Sequence, residues 1–243
     1  MRNNSPHLNC FNQHSQGERE MRIVSWNCNG KFREKFCDIL LLDADIYVIQ
    51  ECENPAESTC AKYRDFAQNY LWTGENKSKG LGVFARKNIN ITENKWSKFC
   101  LRNFLSIKVN DTFDLLAVWA CKPYIEEYYI YQSINISNYN ESTIIIGDFN
   151  SNAIWDKNHY TRTHSAVVQQ LNAIGMCSAY HYKNNVEQGS ETEPTFYLYR
   201  HSDKGYHIDH CFTAAKNIQD YRVLHSLDWL KKSDHVPILI ETK

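Results

Sequence analysis

Apolar residues occur along this chain in short runs, and most of the runs have the length and spacing of β-strands. Continuous β-branched runs predict strands covered on both faces, whereas alternating runs predict strands with one exposed face. The strands predicted in this way are 21–26, 45–50, 81–85, 103–109, 113–119, 143–146, 195–199, 207–213 and 236–241. Apolar residues at helical spacing predict helices at 32–42 and 165–174, and helices are also predicted at 58–69 and in the aromatic-rich stretch 126–137.

The order of these elements favours one fold class. Strands outnumber helices and the two do not alternate strictly, so the pattern predicts a large α/β sandwich rather than a Rossmann domain or a barrel. No linker rich in proline or glycine divides residues 21–243, which we therefore expect to form one domain. Residues 1–20 are polar and predict a flexible extension that precedes it.

Composition and charge narrow the function classes. The 243 residues are 42% hydrophobic and 13% aromatic, and their net charge is −1, which argues against a strongly basic nucleic-acid binder. This charge does not exclude nucleic acid as a substrate, because a local basic rim or metal ions can still bridge the phosphates. Nine scattered cysteines without a CxxC pair favour reduced thiols and a cytoplasmic protein. No apolar run approaches the ~20 residues that span a bilayer, and the N-terminus lacks the apolar stretch of a secretory signal. Nothing indicates a protein partner, so we expect a monomer.

Polar side chains stand directly before or after several of the predicted strands. They are Asn27, Glu51, Asp148, Asn150, Asp209, Asp234 and His235. Strand ends hold side chains in fixed positions, and oxygen ligands suit a hard cation such as Mg²⁺. Each motif alone is weak, because Gly-Asp-Phe-Asn at 147–150 is more often a tight turn. The Asn-Gly pair at 29–30 is also typical of a hairpin.

Six motifs in a fixed order raise the signal well above that of any one of them. They are Ser-Trp-Asn-Cys-Asn-Gly at 25–30, Ile-Gln-Glu at 49–51, Ile-Ile-Gly-Asp-Phe-Asn at 145–150, Thr-Phe-Tyr at 195–197, His-Ile-Asp-His at 207–210 and Ser-Asp-His-Val-Pro-Ile at 233–238. This set resembles the endonuclease/exonuclease/phosphatase superfamily, which includes exonuclease III-type AP endonucleases and pancreatic-type deoxyribonucleases. The resemblance covers the whole chain except residues 1–20, so residues 21–243 would be its catalytic domain.

The resemblance implies a four-layer α-β-β-α sandwich, in which two packed mixed sheets are flanked by helices. It also implies Mg²⁺ as the cofactor, with Mn²⁺ as a substitute. Glu51 would be the principal metal ligand, supported by Asn27 and Asp234.

The same resemblance assigns the catalytic roles. Asp148 and Asn150 would position the attacking water and the scissile phosphate, and Asp209 and His235 would form an Asp-His pair. The reaction would be in-line hydrolysis of a phosphate ester. Either Asp148 or His235 can be the general base, and the sequence does not choose between them.

One position departs from the family pattern. Many members carry His or Tyr near the end of the strand before the Gly-Asp motif, whereas this chain carries Trp119. An indole has only an N–H donor, so it can bind a phosphate oxygen but cannot act as an acid. Protonation of the leaving group then falls to a water of the metal site, to Lys122 or to Tyr124.

Other residues are expected to face the substrate. Trp155, Phe196, Tyr197 and Tyr206 fall where related AP endonucleases place substrate-facing residues. Cations in the predicted loops, Lys79 among them, either form a rim for a phosphate backbone or are ordinary solvated charges.

Strand alternation bears on the histidines around Asp209. A zinc site built from His207, His210 and Cys211 is disfavoured, because neighbouring residues of a strand point to opposite faces. The same alternation puts His207 and Asp209 on one face, so His207 is expected to line the pocket.

The substrate remains open between three hypotheses. The first is a DNA endonuclease or exonuclease that hydrolyses phosphodiester bonds. The second is a phosphatase or phosphodiesterase that acts on a phosphoinositide, a nucleotide or another small phosphate ester. The third is a non-catalytic binding module, which the presence of all seven polar residues disfavours.

Overall fold

A computed structural model describes residues 20–243, apart from the side chain of Leu227. The extension predicted at residues 1–20 therefore lies outside the described residues, except for Glu20. The strands are β1 Met21–Asn27, β2 Ile46–Cys52, β3 Tyr70–Asn76, β4 Lys79–Ala85, β5 Ile91–Glu93, β6 Phe104–Val109, β7 Phe113–Trp119, β8 Ile144–Asp148, β9 Met176–Ser178, β10 Phe196–Tyr197, β11 Gly205–Tyr206, β12 Asp209–Ala214, β13 Ile218–Val223 and β14 Ile238–Thr242. Among these residues no helix is long and apolar enough to cross a membrane.

The helices are short and lie outside the strands. They are α1 Phe36–Leu40, α2 Ala61–Phe66, α3 Ile125–Asn135, α4 His164–Ala173, α5 Ala179–Asn184 and α6 Leu227–Leu230. Turns of 3₁₀ helix occupy Phe32–Glu34, Pro55–Glu57, Ile136–Asn138, Ala153–Asn158, Leu198–Arg200 and Ala215–Asn217.

The strands form two six-stranded sheets and a two-stranded ribbon. The first sheet has the order β13-β14-β1-β2-β4-β3, the second has the order β5-β6-β7-β8-β12-β9, and β10 pairs with β11. Both large sheets are mixed, because β1 pairs in parallel with β2 and β7 pairs in parallel with β8. The parallel pairing of β1 and β2 shows that the hairpin interpretation of residues 27–30 is wrong, because this segment begins a crossover.

Three apolar clusters hold the layers together. One lies between the two sheets, where Ile23 of β1 and Ile146 of β8 are fully buried. A second packs α3 and α4 on the outer face of the second sheet, and a third packs α1 and α2 on the outer face of the first. This arrangement confirms the predicted four-layer α-β-β-α sandwich, and central strands such as β1, β7 and β8 are buried on both faces.

Most of the predicted strands are confirmed, with shifted ends. The strand predicted at 207–213 begins only at Asp209, and the one predicted at 195–199 is limited to Phe196–Tyr197. The helix predicted at 32–42 is a 3₁₀ turn followed by the five-residue α1, because Lys35 leaves the helical region at φ −121°.

Candidate active site

Polar residues occupy the last inward-facing positions of strands that end at the same edge of the sandwich. Ile23 of β1 and Ile146 of β8 face the other sheet and lie an even number of positions from Asn27 and Asp148, so these two side chains also point between the sheets. Within the second sheet, Asp148 pairs with Trp119 on one side and with Asp209 on the other. The two sheets therefore present their polar ends to each other, at the edge where the apolar cluster stops.

Asp148 is completely buried and receives three N–H groups. Its Oδ2 accepts hydrogen bonds from Asn27 Nδ2 and Asn150 Nδ2, each at 2.9 Å, and its Oδ1 accepts the backbone N–H of Asn150 at 2.9 Å. Asn150 can fold back in this way because its φ is +49°, a conformation that asparagine tolerates well. Burial raises the pKa of Asp148 to about 7, against the opposing charge of His235.

His235 joins Asp209 and Asp148. Its Nδ1 lies 2.9 Å from Asp209 Oδ2, and its Nε2 lies 4.0 Å from Asp148 Oδ2. Asp209 is fixed in turn, because Thr195 Oγ1 accepts its backbone N–H at 3.0 Å. Burial alone would lower the pKa of His235, but the carboxylates of Asp209 and Asp148 outweigh it and raise the pKa to about 9. The imidazole is therefore cationic at neutral pH and donates Nδ1–H to Asp209.

Glu51 reaches this site because of an irregularity in β2. The register of β2 on β4 shifts between Gln50 and Cys52, and Glu51 between them has a φ of +62°. Regular alternation would point Glu51 towards the helices, on the same face as Ile49. The bulge turns its carboxylate to the inner side, as bulges near active sites commonly do.

The Glu51 carboxylate lies beside an amide and an ammonium group. Asn27 Nδ2 approaches Glu51 Oε1 at 3.5 Å, so one amide nitrogen contacts both Glu51 and Asp148. Lys79 Nζ lies 2.8 Å from Glu51 Oε2 and 5.7 Å from the centre of the Trp119 ring.

Asp234 lies in the loop before β14, where hydrogen bonds hold it in place. Its backbone carbonyl accepts the N–H of Tyr197 at 2.7 Å, and its Oδ1 lies 3.4 Å from Ser233 Oγ. Ser233 Oγ also lies 2.7 Å from the backbone carbonyl of Asn27, which joins this loop to the end of β1. Among the described residues, no hydrogen bond or ion pair links Asp234 to Glu51.

Two groups of side chains in this region could hold a cation. Ligand atoms of Asp148, Asp209 and His235 lie within 4.8 Å of one another. A metal needs a neutral imidazole, however, and the charges around His235 favour the cation, so this trio is better suited to handling protons. Glu51, Asn27 and Asp234 carry oxygen donors of the hard kind that Mg²⁺ prefers, and their assignment as its ligands stays a prediction. Asn27 Oδ1 already accepts the N–H of Asn29 at 3.0 Å, so it offers only its second lone pair.

The residues predicted to face the substrate differ in burial and in surroundings. Phe196 packs on His235 with ring centres 4.9 Å apart, and half-buried Trp155 and Tyr206 pack on each other at 5.1 Å. Tyr197 is instead buried in the cluster between the sheets. Lys122 lines a cavity of about 530 Å³, together with Arg102 and Glu127, beyond the end of β7.

His207 does not join the Asp209–His235 pair. Its Nδ1 bonds the carbonyl of Glu193 at 2.7 Å, and its ring packs 4.4 Å from Tyr180 and 5.1 Å from His210. The expected place of His207 in the pocket is wrong, because β12 begins at Asp209 and strand alternation does not extend to His207.

Lys79 departs from its sequence-based expectation. The sequence predicts a loop cation, whereas the structure places Lys79 in β4, against Glu51. Its partner lies 28 positions earlier on another strand, and no local pattern signals that contact.

Known proteins share both the sequence pattern and the fold. A sequence model described as the Endonuclease/Exonuclease/phosphatase family matches residues 24–235. A 3′ phosphatase, NExo from Neisseria, bound to product DNA hairpin, has 18% identity and a TM-score of 0.66, with 92% of this chain and 99% of that chain covered. No curated protein matches the sequence significantly.

Two further solved structures have the same fold. The endonuclease domain of TRAS1, a telomere-specific non-LTR retrotransposon, has 14% identity and a TM-score of 0.62, with 93% of this chain and 99% of that chain covered. A humanized TDP2 from D. rerio has 17% identity and a TM-score of 0.62, with 92% and 99% covered. At these identities the likeness concerns the fold.

Proposed function

We propose, from the premise that this chain belongs to the endonuclease/exonuclease/phosphatase family, that it is a magnesium-dependent phosphoesterase acting on DNA. One observation carries the proposal. Asp148 and His235 are buried 4.0 Å apart, each held by a partner from the opposite sheet, Asn27 and Asp209 respectively. Burying three carboxyl and imidazole groups together is costly, and such clusters occur chiefly at sites that use them.

Each residue has a separate role in the proposed hydrolysis. Asp148 takes a proton from the attacking water, whose oxygen bonds to phosphorus as the P–O ester bond breaks. Cationic His235 holds a non-bridging phosphate oxygen while negative charge builds on it, and Asp209 keeps the ring oriented. The departing oxygen takes its proton from solvent water. Glu51, Asn27 and Asp234 would hold Mg²⁺, which supplies positive charge beside the phosphate.

Two features support DNA over a small phosphate ester. The structures with the same fold include a phosphatase bound to a DNA hairpin and the endonuclease domain of a retrotransposon. In this chain, half-buried Trp155, Tyr206 and Phe196 offer ring faces near the site, and aromatic side chains of this kind stack on bases. The eight cysteines among residues 20–243 are free thiols, which favours the cytoplasm as the place of action.

The test is a cleavage assay with the full chain and Mg²⁺ on four substrates. They are supercoiled plasmid, a duplex with an abasic site, a hairpin with a 3′ phosphate and a panel of inositol phosphates. Asp148→Asn and His235→Asn should each lower kcat/KM at least about 10³-fold, because each removes a group that acts in the transition state. Asp203→Asn is the matched control, because Asp203 is exposed.

The outcomes separate the three hypotheses for function. Cleavage of inositol phosphates alone would overturn the assignment to DNA and leave the catalytic residues in place. Equal behaviour of wild type, Asp148→Asn and His235→Asn on every substrate would overturn the proposed catalysis itself.

A further inference from the structure

Lys79 contacts one residue of each sheet at the candidate site. It belongs to β4 of the first sheet, and its ammonium group touches Glu51 of β2 at 2.8 Å. The same group lies over the ring of Trp119, which ends β7 of the second sheet, within the roughly 6 Å at which cations and aromatic faces attract. Its side chain is 49% exposed, whereas that of Glu51 is 16% exposed.

These contacts make Lys79 a poor permanent partner for Glu51. An ammonium group on a flexible four-carbon stem can reorient without disturbing the backbone, and about half of the Lys79 side chain is already exposed to solvent. A divalent cation on Glu51 would repel an ammonium group within 3 Å of the same carboxylate. The two cations therefore compete for Glu51, and Trp119 offers Lys79 a second favourable position nearby.

The surroundings of Lys79 also suit a second role, contact with a phosphate, once it leaves Glu51. Trp119 can donate only one N–H and carries no charge. Lys79 adds a positive charge with three N–H donors beside that indole, at the opposite end from His235 of the contact chain Lys79–Glu51–Asn27–Asp148–His235. A phosphate bound near Glu51 would then meet a cation on each side.

Resting on the proposed function, we propose that Lys79 is an exchangeable counter-ion. It neutralises Glu51 until a divalent cation takes that carboxylate, and it then binds the substrate phosphate beside Trp119. Lys79 thus competes with the metal and assists the substrate, which a structural ion pair would not do.

The first arm of the test measures metal binding without substrate. Mn²⁺ binding to the full chain is followed by electron paramagnetic resonance and calorimetry in wild type, Lys79→Met and Lys79→Arg. Lys79→Met should bind Mn²⁺ about 3- to 10-fold more tightly, since removing the competing charge frees Glu51, whereas Lys79→Arg should stay near wild type.

Lys77→Met is the matched control, because it removes the same charge from the same hairpin at an exposed position. If Lys79→Met binds Mn²⁺ no more tightly than Lys77→Met does, the competition is refuted. A circular-dichroism melt of each variant confirms that it is folded before binding is compared.

The second arm uses a DNA hairpin with a 3′ phosphate at saturating Mg²⁺. Lys79→Met should raise KM about tenfold with a smaller effect on kcat, and Lys79→Arg should restore much of the loss. An unchanged KM would overturn the phosphate role. Should wild type cleave none of the four substrates, the proposed function fails, while the Mn²⁺ arm still decides whether Lys79 and metal compete.

Discussion

At the scale of single residues, Lys35 joins two loops next to the candidate site. Its Nζ donates to the backbone carbonyls of Cys28 at 2.6 Å, Gly30 at 2.8 Å and Lys232 at 2.7 Å. The first two follow β1 and its Asn27, and the third precedes Asp234. One ammonium group therefore joins two loops that are about 200 positions apart in the sequence, and partial burial lowers its pKa.

Replacing Lys35 by Met should lower the free energy of unfolding by about 2–4 kcal/mol, because three carbonyls lose a charged donor. Urea unfolding followed by fluorescence measures the loss, with exposed Lys62→Met as the control. Equal midpoints for the two variants would show that the three bonds add no stability.

Residue by residue, the sequence predicted the site better than it predicted its supports. Asn27, Asp148, Asp209 and His235 were identified because each stands next to an apolar run in an ordered motif, and the structure brings them together. The contacts made by Lys35 had no such signal, because each joins segments that become neighbours only after the sheets form.

At the scale of elements, β8 depends on a glycine next to Asp148, the residue at its end. Gly147 has a φ of +152°, and a Cβ atom there would lie 2.0 Å from the carbonyl oxygen of Val118 on β7. A backbone atom cannot turn aside as a side chain can, so any larger residue would push β8 off β7. Asp148 is the next residue and would move with it.

Gly147→Ala should therefore destabilise the protein by at least about 2 kcal/mol and also lower kcat. Gly175→Ala is the control, because Gly175 has a φ of +80° but nothing within 4 Å of its added Cβ. That variant should lose only about 1–2 kcal/mol from the backbone conformation and keep its activity. Similar losses in both variants, by thermal unfolding and kinetics, would contradict the steric account.

Elements buried on both faces were predicted well, and half-exposed ones were not. One face of β8 is covered by the cluster between the sheets, and the other face is covered by the cluster that packs α3 and α4. Its β-branched run is therefore apolar at successive positions. By contrast β3 is nowhere fully buried, and β13 mixes Gln219, Asp220 and Arg222 with its apolar residues. The inward orientation of Glu51 is not predicted by the sequence either, because no pattern signals the bulge in β2 that turns it inward.

At the scale of the whole molecule, three buried histidines, His164, His207 and His210, are expected to make stability depend on pH. His164 bonds Ser151 Oγ at 2.7 Å, and its ring lies 4.6 Å from that of His210, which lies 5.1 Å from His207. Burial lowers the pKa of His164 to about 4, and it lowers the pKa of the other two as well. The folded protein therefore keeps these rings neutral while the unfolded chain protonates them.

The sign of the pH effect follows from that difference. Below the unfolded pKa of about 6.5 the unfolded chain binds more protons, so the free energy of unfolding falls as pH drops from 6.5 towards 4. His164 alone accounts for up to about 3 kcal/mol of this fall. His164→Gln should flatten part of the slope in urea unfolding at pH 7.5, 6 and 5. Exposed His201→Gln should not change the slope, and an unchanged slope in His164→Gln would argue against its neutral state.

Both buried pairs of the candidate site, Asn27–Asp148 and His235–Asp209, span the gap between the sheets, since Asn27 and His235 come from the side of β1 and β14, while Asp148 and Asp209 come from β8 and β12. A folding intermediate with one finished sheet would possess half of each pair and none of the chemistry. The return of activity during refolding therefore reports when the two sheets dock. It should lag behind any signal that reports strand formation alone.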